Sequence, residues 1–266
     1  MAFLQCEFHS DVLGRACSMN VLVPQKAATQ IGMVSSGEDG RAEYPVLYLL
    51  HGLSDNHTIW MRRTSIERYA AAYGLVVVMP AGERGFYTDM AEGYRYWTML
   101  SEELPQIVRN LFPVSTKREE TFAAGLSMGG YGALKLALRC PERFAGAVAL
   151  SPVTDPRSWF ANGERPGMRE ELTRIFGSEE RIVANGDDLF TLADDLLGSG
   201  KPKPRILQIC GTEDGLLQEN HRFRNHMEKI HFPGYCYIED AGSHTWEFWD
   251  HYIQDGLRFL LGEREK

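Results

Sequence analysis

The segment Phe122–Arg139, FAAGLSMGGYGALKLALR, joins a short apolar run to a stretch rich in alanine and leucine through a glycine-rich turn. The run Phe122–Gly125 predicts a buried strand, and Gly129–Arg139 predicts a helix. Between them, Gly125–Gly129 reads G-L-S-M-G and fits the G-x-S-x-G pattern of a sharp strand-to-helix turn. A strand, a tight turn and a helix in this order are typical of a parallel α/β sheet.

The rest of the chain repeats this alternation of apolar runs and helix-like stretches. Continuous apolar runs are typical of strands that are buried on both faces of a parallel sheet. Further runs of this kind are Val46–Leu50, Leu75–Met79, Ala145–Leu150, Ile206–Cys210 and Tyr235–Ile238. Helices are predicted at Thr64–Ala72, Leu100–Leu111, Leu217–Lys229 and Trp246–Leu261. Because parallel strands need crossover connections, the chain is expected to fold as one α/β unit around a mostly parallel central sheet.

Two parts of the chain depart from this alternation, one before the first core strand and one between two core strands. The runs Phe3–Phe8 and Ala16–Val23 flank a glycine turn and predict an antiparallel hairpin at a sheet edge, followed by a polar connector over residues 30–43. Residues 152–200 have little strand character. An insertion of this length predicts a cap over a site, although its aromatic residues could instead pack on the core. We find no linker, so residues 1–266 are expected to form a single domain.

The composition excludes several classes of protein. The chain has 266 residues, 44% of them hydrophobic and 24% charged, which is typical of globular proteins. Its net charge of −8 argues against a nucleic-acid partner, because an acidic surface repels phosphates. No stretch approaches the roughly 20 apolar residues of a membrane span. Residues 1–10 lack an apolar signal core, so we expect a cytoplasmic protein that does not bind membranes.

The known cofactor and metal motifs are not found in this sequence. It has no G-x-G-x-x-G after a strand, no Walker lysine, no H-E-x-x-H and no C-x-x-C among its five cysteines. The acidic pairs Asp187-Asp188 and Asp194-Asp195 lack a nearby histidine and are expected to be solvated. We therefore expect neither a cofactor nor a metal site.

Ser127 is the candidate nucleophile. It stands at the predicted turn, where Gly125 and Gly129 leave room for a strained backbone and a projecting hydroxyl. The N-terminus of the following helix favours the negative charge that develops when a hydroxyl attacks. The alternative is a turn serine without chemistry.

A serine nucleophile needs a base and an acid that orients the base, and in this architecture the acid precedes the base in the chain. His244 is the candidate base, because it alone of the later histidines occupies a loop directly after a predicted core strand. The acid is expected after Ile206–Cys210. Asp214 is favoured there and Glu213 is the alternative, whereas Asp240 is expected to point elsewhere.

The anion formed by hydroxyl attack needs two preorganised donors. One is expected to be the backbone N–H of Met128, the residue after the nucleophile. The other is expected in the loop that follows Leu50, where the backbone N–H of Leu53 is favoured. His51 precedes the nucleophile strand and is expected to shape this loop rather than to act as the base.

Taken together, these motifs resemble the esterase D group of α/β-hydrolases, and bacterial tributyrin esterases in particular. The similarity extends over nearly the whole chain and is carried by His51-Gly52, Gly125–Gly130, Gly211–Asp214 and Gly242–Trp246. It implies the α/β-hydrolase fold, and it agrees with Ser127, Asp214 and His244 as the catalytic residues and with Leu53 and Met128 as the oxyanion donors. Residues 31–43 and the segment around 156–200 depart from the relatives, which leaves the substrate open.

The expected function is therefore a serine carboxylesterase that acts on small short-chain acyl esters through an acyl-enzyme intermediate. Within the same class, S-formylglutathione hydrolase, feruloyl or acetyl carbohydrate esterase and acyltransferase remain as alternatives. A hydrolase-fold binding protein without activity is an alternative from another class, but a candidate is present at every triad position. Several relatives associate, so a homo-oligomer remains open.

Overall fold

The computed structural model describes residues 1–26, 29, 31, 42–161 and 167–262. Within these residues, eight strands form one sheet in the spatial order β1-β2-β4-β3-β5-β6-β7-β8. The strands are β1 Ala2–Ser10, β2 Arg15–Val23, β3 Val46–Leu50, β4 Val76–Pro80, β5 Thr121–Leu126, β6 Gly146–Leu150, β7 Arg205–Gly211 and β8 Tyr235–Asp240. The polar connector predicted over residues 30–43 lies almost entirely outside the described residues.

The pairing of the strands confirms the predicted sheet. β1 pairs antiparallel with β2, which pairs antiparallel with β4, and all pairings from β4 through β8 are parallel. In the registers, Leu50 lies opposite Gly125, and Leu126 lies opposite Leu150. The carboxyl ends of β3, β5 and β6 therefore meet at one edge of the sheet, which is where ligands bind in open α/β sheets.

Burial explains why the central strands lack polar alternation. Every residue of β3, β4, β5 and β6 is buried, because helices cover both faces of the sheet. Along β3, Tyr48 and Leu50 belong to the core on one face, whereas Leu47 and Leu49 belong to the core on the other. Alternate side chains of the strand thus point into two different apolar cores, one on each face of the sheet.

The helices divide between the two faces. Residues of α1, α2 and α11 pack in one core, and residues of the other helices pack in the opposite one. A π-helical turn, Met99–Glu103, joins α3 to α4, so this helical segment begins four residues earlier than the sequence predicts. The helices are α1 Ile59–Arg63, α2 Ile66–Ala71, α3 Tyr96–Thr98, α4 Leu104–Leu111, α5 Met128–Arg139, α6 Pro156–Ala161, α7 Met168–Phe176, α8 Glu179–Ala184, α9 Leu189–Gly198, α10 Leu217–Lys229 and α11 Trp246–Leu261. None of the helices in the described part of the chain is long and apolar enough to cross a membrane.

The insertion between β6 and β7 contains α6 to α9, and its aromatic residues have different surroundings. Phe160 and Phe176 are buried in the core, and the ring of Phe190 lies 5.3 Å from that of Phe223 in an edge-to-face contact. Trp159 instead lines a cavity at the carboxyl edge of the sheet. Most of the insertion therefore packs on the core, and the stretch near Trp159 contributes to the candidate site.

The prediction that Asp187 and Asp188 are solvated is wrong. Asp187 is 3% exposed and Asp188 is 1% exposed. The carboxylate of Asp187 forms an ion pair with the fully buried ammonium group of Lys135, and that of Asp188 caps α9 by accepting hydrogen bonds from Thr191. The charge of Asp187 is therefore neutralised within the fold, and Oδ1 of Asp188 lies 3.5 Å from Nε of Arg157 without a hydrogen bond. Asp194 and Asp195 are exposed, as the sequence predicts, but Nε2 of His226 in α10 lies 3.0 Å from Oδ1 of Asp194, so this pair does have a histidine nearby.

Candidate active site

Ser127 lies between the end of β5 and the start of α5 in a strained backbone conformation. Its φ is 53° and its ψ is −119°, in a region that residues with a Cβ atom rarely adopt. Neighbouring loops hold the turn, because the Ser127 N–H donates to the Leu150 carbonyl at 2.9 Å and the Ser127 carbonyl accepts from Val153 at 3.1 Å. The sharp turn predicted from the sequence is therefore present, and a strained residue held in this way is typical of functional sites.

The glycines on either side of Ser127 are required by close backbone contacts. A Cβ atom on Gly125 would lie 2.4 Å from the backbone of Gly129, and one on Gly129 would lie 2.3 Å from the Leu50 carbonyl oxygen. Backbone atoms cannot move aside as the end of a flexible side chain can. Only glycine therefore lets α5 start this close to the ends of β3 and β5.

His244 and Asp214 form a hydrogen-bonded pair at the same edge of the sheet. Nδ1 of His244, in the loop after β8, donates to Oδ2 of Asp214 at 2.9 Å and lies 3.1 Å from its Oδ1. The side chain of Asp214 is fully buried and also accepts from the Leu216 N–H at 2.8 Å. Burial raises the pKa of Asp214, but the hydrogen bonds to His244 and Leu216 outweigh it and leave the pKa below its ordinary value. The carboxylate therefore stays ionised and fixes the ring.

The other two carboxylates near the predicted acid position are turned away from the ring of His244. Glu213 is exposed and accepts from the hydroxyl of its neighbour Thr212. Asp240 accepts from the hydroxyl of Tyr252 and from its own neighbour Ala241. Of these three carboxylates, Asp214 is the one that is hydrogen-bonded to His244.

Ser151 is a member of the site that the sequence analysis does not identify. It follows β6 directly, is fully buried and has a φ of 45°. Its hydroxyl accepts from the Trp249 indole N–H at 3.1 Å, and the nearby hydroxyl helps to lower the pKa of the Asp214 carboxyl. Ser151 directly follows a core strand, as do the loops of Asp214 and His244. The rule that points to those two residues could therefore have identified Ser151 as well.

Leu53, in the loop after β3, and Met128, at the start of α5, line the same cavity. Neither the Leu53 N–H nor the Met128 N–H donates a hydrogen bond to any residue that the structure describes. His51 is buried, and its Nδ1 donates to the Gly52 carbonyl at 2.7 Å while its Nε2 accepts from the Gly82 N–H at 2.9 Å. Burial lowers the pKa of His51 to about 4, so the ring is neutral at pH 7. His51 thus shapes the loop, as the sequence predicts.

The cavity at this edge has a volume of about 480 Å³ and joins these groups to an apolar wall. Ser127, Asp214 and His244 lie along it together with Leu53 and Met128. The wall is rich in aromatic side chains, which are Phe86, Trp159, Trp246 and Trp249. Arg84 also lines the cavity, and its guanidinium donates two hydrogen bonds to the carboxylate of Glu171. One runs from Nε to Oε1, and the other runs from Nη2 to Oε2 at 2.7 Å. No group of three metal-binding side chains lies together in the parts of the chain described.

Comparison with known proteins gives results that agree with this geometry. The model of the Esterase family, described as "Putative esterase", matches residues 10–260. An acetyl esterase of Caldicellulosiruptor saccharolyticus is 30% identical over 98% of both chains. A substrate-bound structure of the fluorophosphonate-binding serine hydrolase F of Staphylococcus aureus superposes with a TM-score of 0.85 at 31% identity, covering 98% of this chain and 99% of its own. An S-formylglutathione hydrolase of the same organism gives a TM-score of 0.82 at 32% identity, covering 98% of both chains.

Proposed function

The chain belongs to the Esterase family and is a carboxylic ester hydrolase with the α/β-hydrolase fold, and we propose that it hydrolyses small esters with short acyl chains. The observation that carries the proposal is the His244–Asp214 hydrogen bond, at 2.9 Å, at the cavity that also contains Ser127. We also propose that, within this family, the chain is a member of the esterase D group and is similar to tributyrin esterases.

In the proposed mechanism, Ser127 Oγ attacks the ester carbonyl carbon while Nε2 of His244 takes the hydroxyl proton. Asp214 holds the Nδ1–H of His244, which keeps Nε2 free to accept that proton and stabilises the imidazolium. The N–H groups of Leu53 and Met128 donate to the tetrahedral oxyanion. When the intermediate collapses, the alcohol leaves with the proton from His244 and an acyl-enzyme remains.

The second half of the reaction repeats these steps with water as the nucleophile. His244 takes a proton from water, the hydroxide attacks the acyl carbon, and the proton returns to Ser127 Oγ as the carboxylic acid leaves. Both halves use the same donors at Leu53 and Met128, because the same carbonyl oxygen becomes negative each time. A strained serine and two unpaired N–H donors suit this use, since neither requires rearrangement when charge develops.

The shape and polarity of the cavity support a small, neutral substrate. The cavity has a volume of about 480 Å³, and four aromatic side chains form part of its wall. The charge of Arg84 is offset by Glu171. The relative named acetyl esterase supports an acetyl or similarly short acyl group. S-formylglutathione is the second candidate substrate, because one solved relative at 32% identity is a hydrolase of this thioester.

A comparison of kcat/KM across esters tests the substrate proposal. We expect kcat/KM for 4-nitrophenyl acetate and butyrate to exceed that for 4-nitrophenyl octanoate by about tenfold or more, because the longer acyl chain must fit beside the aromatic side chains of a cavity of about 480 Å³. A feruloyl ester and S-formylglutathione complete the series. A preference for octanoate would contradict the short-chain proposal, and a value for S-formylglutathione far above that for acetate would establish the second candidate instead.

A further inference from the structure

A buried carboxylate outside the proposed triad lies next to the active-site cavity. Glu219, in α10, is 6% exposed. Its Oε1 accepts from the Thr154 N–H at 2.9 Å, and its Oε2 accepts from the indole N–H of Trp159 at 2.9 Å. The Thr154 hydroxyl donates to the main-chain carbonyl of Glu219, also at 2.9 Å. The proposed reaction uses none of these groups.

Both donors belong to the segment that leaves β6 and forms part of the cavity wall. Val153 and Trp159 line the cavity, and the ring of Trp159 meets that of Phe86 edge to face at 6.1 Å. The residue after Glu219 secures the same segment, because the side chain of Asn220 donates to the Pro152 carbonyl at 2.9 Å. The start of α10 therefore fixes the wall at successive points.

We propose that Glu219 is a positioning residue for substrate binding, which holds the indole of Trp159 in the cavity wall and thereby restricts the size of the ester that the site accepts. The inference rests on the proposed function, because Trp159 faces a substrate only if this cavity binds the ester. A residue that served only the packing of the core would not need two acceptor oxygens aimed at one short segment.

The chemistry of the two contacts requires a carboxylate. Two N–H groups point at Glu219, so both of its oxygens must accept, which an ionised carboxylate can do. Glutamine would offer one oxygen and would turn its NH₂ group toward the other N–H donor. Glu219→Gln therefore loses one of the two contacts with almost no change in side-chain volume.

Two charged residues near Glu219 act on its pKa in opposite directions. The pKa of Glu219 is raised to about 7, mainly by burial and to a smaller extent by the charge of Asp155. The hydrogen bonds from Thr154 and Trp159 and the charge of Arg222 lower this pKa and so limit the rise. Asp155 lies on the wall segment, where it pairs with Arg222 of α10 at 3.4 Å and with Arg157 at 3.9 Å. As the pH falls through the neutral range, Glu219 takes up a proton, one oxygen becomes a hydroxyl, and the hold on the wall weakens.

The test measures selectivity rather than activity. In Glu219→Gln, we expect the ratio of kcat/KM for 4-nitrophenyl octanoate to that for the acetate to rise about threefold or more, because the wall no longer excludes the longer chain as firmly. A second pair, 2-naphthyl acetate against methyl acetate, varies the alcohol instead. Trp159→Phe keeps a ring but removes the N–H, so it should raise the same ratio, and the double variant should raise it no further. Glu228→Gln, exposed on the same helix, is the matched control.

The pH dependence of the same ratio provides a readout that a purely structural role would not change. Any titration that slows the hydrolysis of both substrates alike cancels in the ratio. In the wild type, the ratio should rise as the pH falls from about 8 to about 6, and in Glu219→Gln it should be flat. Both single variants could hydrolyse 4-nitrophenyl acetate and keep the wild-type ratio of kcat/KM for both substrate pairs. That result would refute the role of Glu219 and leave the proposed function standing. If the wild type hydrolyses no ester, the proposed function itself is refuted.

Discussion

Replacing Ser127 with alanine is expected to lower kcat for a short-chain ester by about 10⁴-fold to 10⁶-fold. The variant lacks the oxygen that forms the acyl-enzyme, so only the oxyanion donors and substrate binding remain. Removal of one hydroxyl from a half-exposed turn residue leaves the fold in place. The measurement is the steady-state rate with 4-nitrophenyl acetate.

Ser199→Ala is the control for this substitution. Ser199 lies between α9 and β7, at the amino end of the strand and therefore at the edge of the sheet opposite the cavity. Its variant should keep the wild-type rate. If Ser127→Ala retained a rate within about tenfold of wild type, the hydrolysis would have to use another group, and the assignment of the nucleophile would be wrong.

Replacing Asp214 with asparagine is expected to lower kcat by about 10⁴-fold, although the two side chains have nearly the same shape. The carboxylate accepts the Nδ1–H of His244, which leaves Nε2 unprotonated. An asparagine amide can donate to Nδ1 instead, which moves the ring proton to Nε2 and removes the base. The loss should appear in kcat more than in KM, because Asp214 acts through His244.

Glu213→Gln is the matched control, since Glu213 precedes Asp214 in the same loop and is exposed. It should leave kcat unchanged. A large loss in Glu213→Gln together with full activity in Asp214→Asn would reverse the assignment of the acid. Unfolding transitions of both variants, followed by circular dichroism, separate lost chemistry from lost structure.

The sheet could be predicted from the sequence because its central strands are buried on both faces. Runs such as Val46–Leu50 contain no charged residue, so each can be recognised as a buried strand before its partners are known. The helical stretches between the runs then imply crossover connections and parallel pairing. The turn at Ser127 was equally accessible, because its glycines are required by atoms close in the chain and by the adjacent strand β3. Local rules were sufficient there.

The sequence favours Asp214 over Glu213, but it does not show the turn that gives the two side chains different environments. Both follow the same strand, and the one that reaches His244 is decided by the tight turn in which the Asp214 N–H donates to the Gly211 carbonyl at 3.1 Å. This turn buries the side chain of Asp214 and leaves Glu213 in solvent. No pattern of residue types encodes that difference.

The burial of two carboxylates could not be predicted from the sequence either, because their partners are distant in the chain. Asp187 pairs with Lys135 across more than 50 residues, and Glu219 binds Trp159 across 60. Acidic residues within or next to helices usually lie on solvated faces, so composition favours the wrong environment in both cases. Only the packing of the insertion against α5 and α10 shows that these carboxylates have buried partners.

Covalent labelling with a fluorophosphonate, followed by intact mass and peptide mapping, tests most directly whether Ser127 is the nucleophile. We predict one adduct per chain, on the peptide that contains Ser127, with none on Ser127→Ala and much slower labelling of Asp214→Asn. Folded wild-type protein that stays unmodified, or that carries its adduct on another residue, would contradict the assignment.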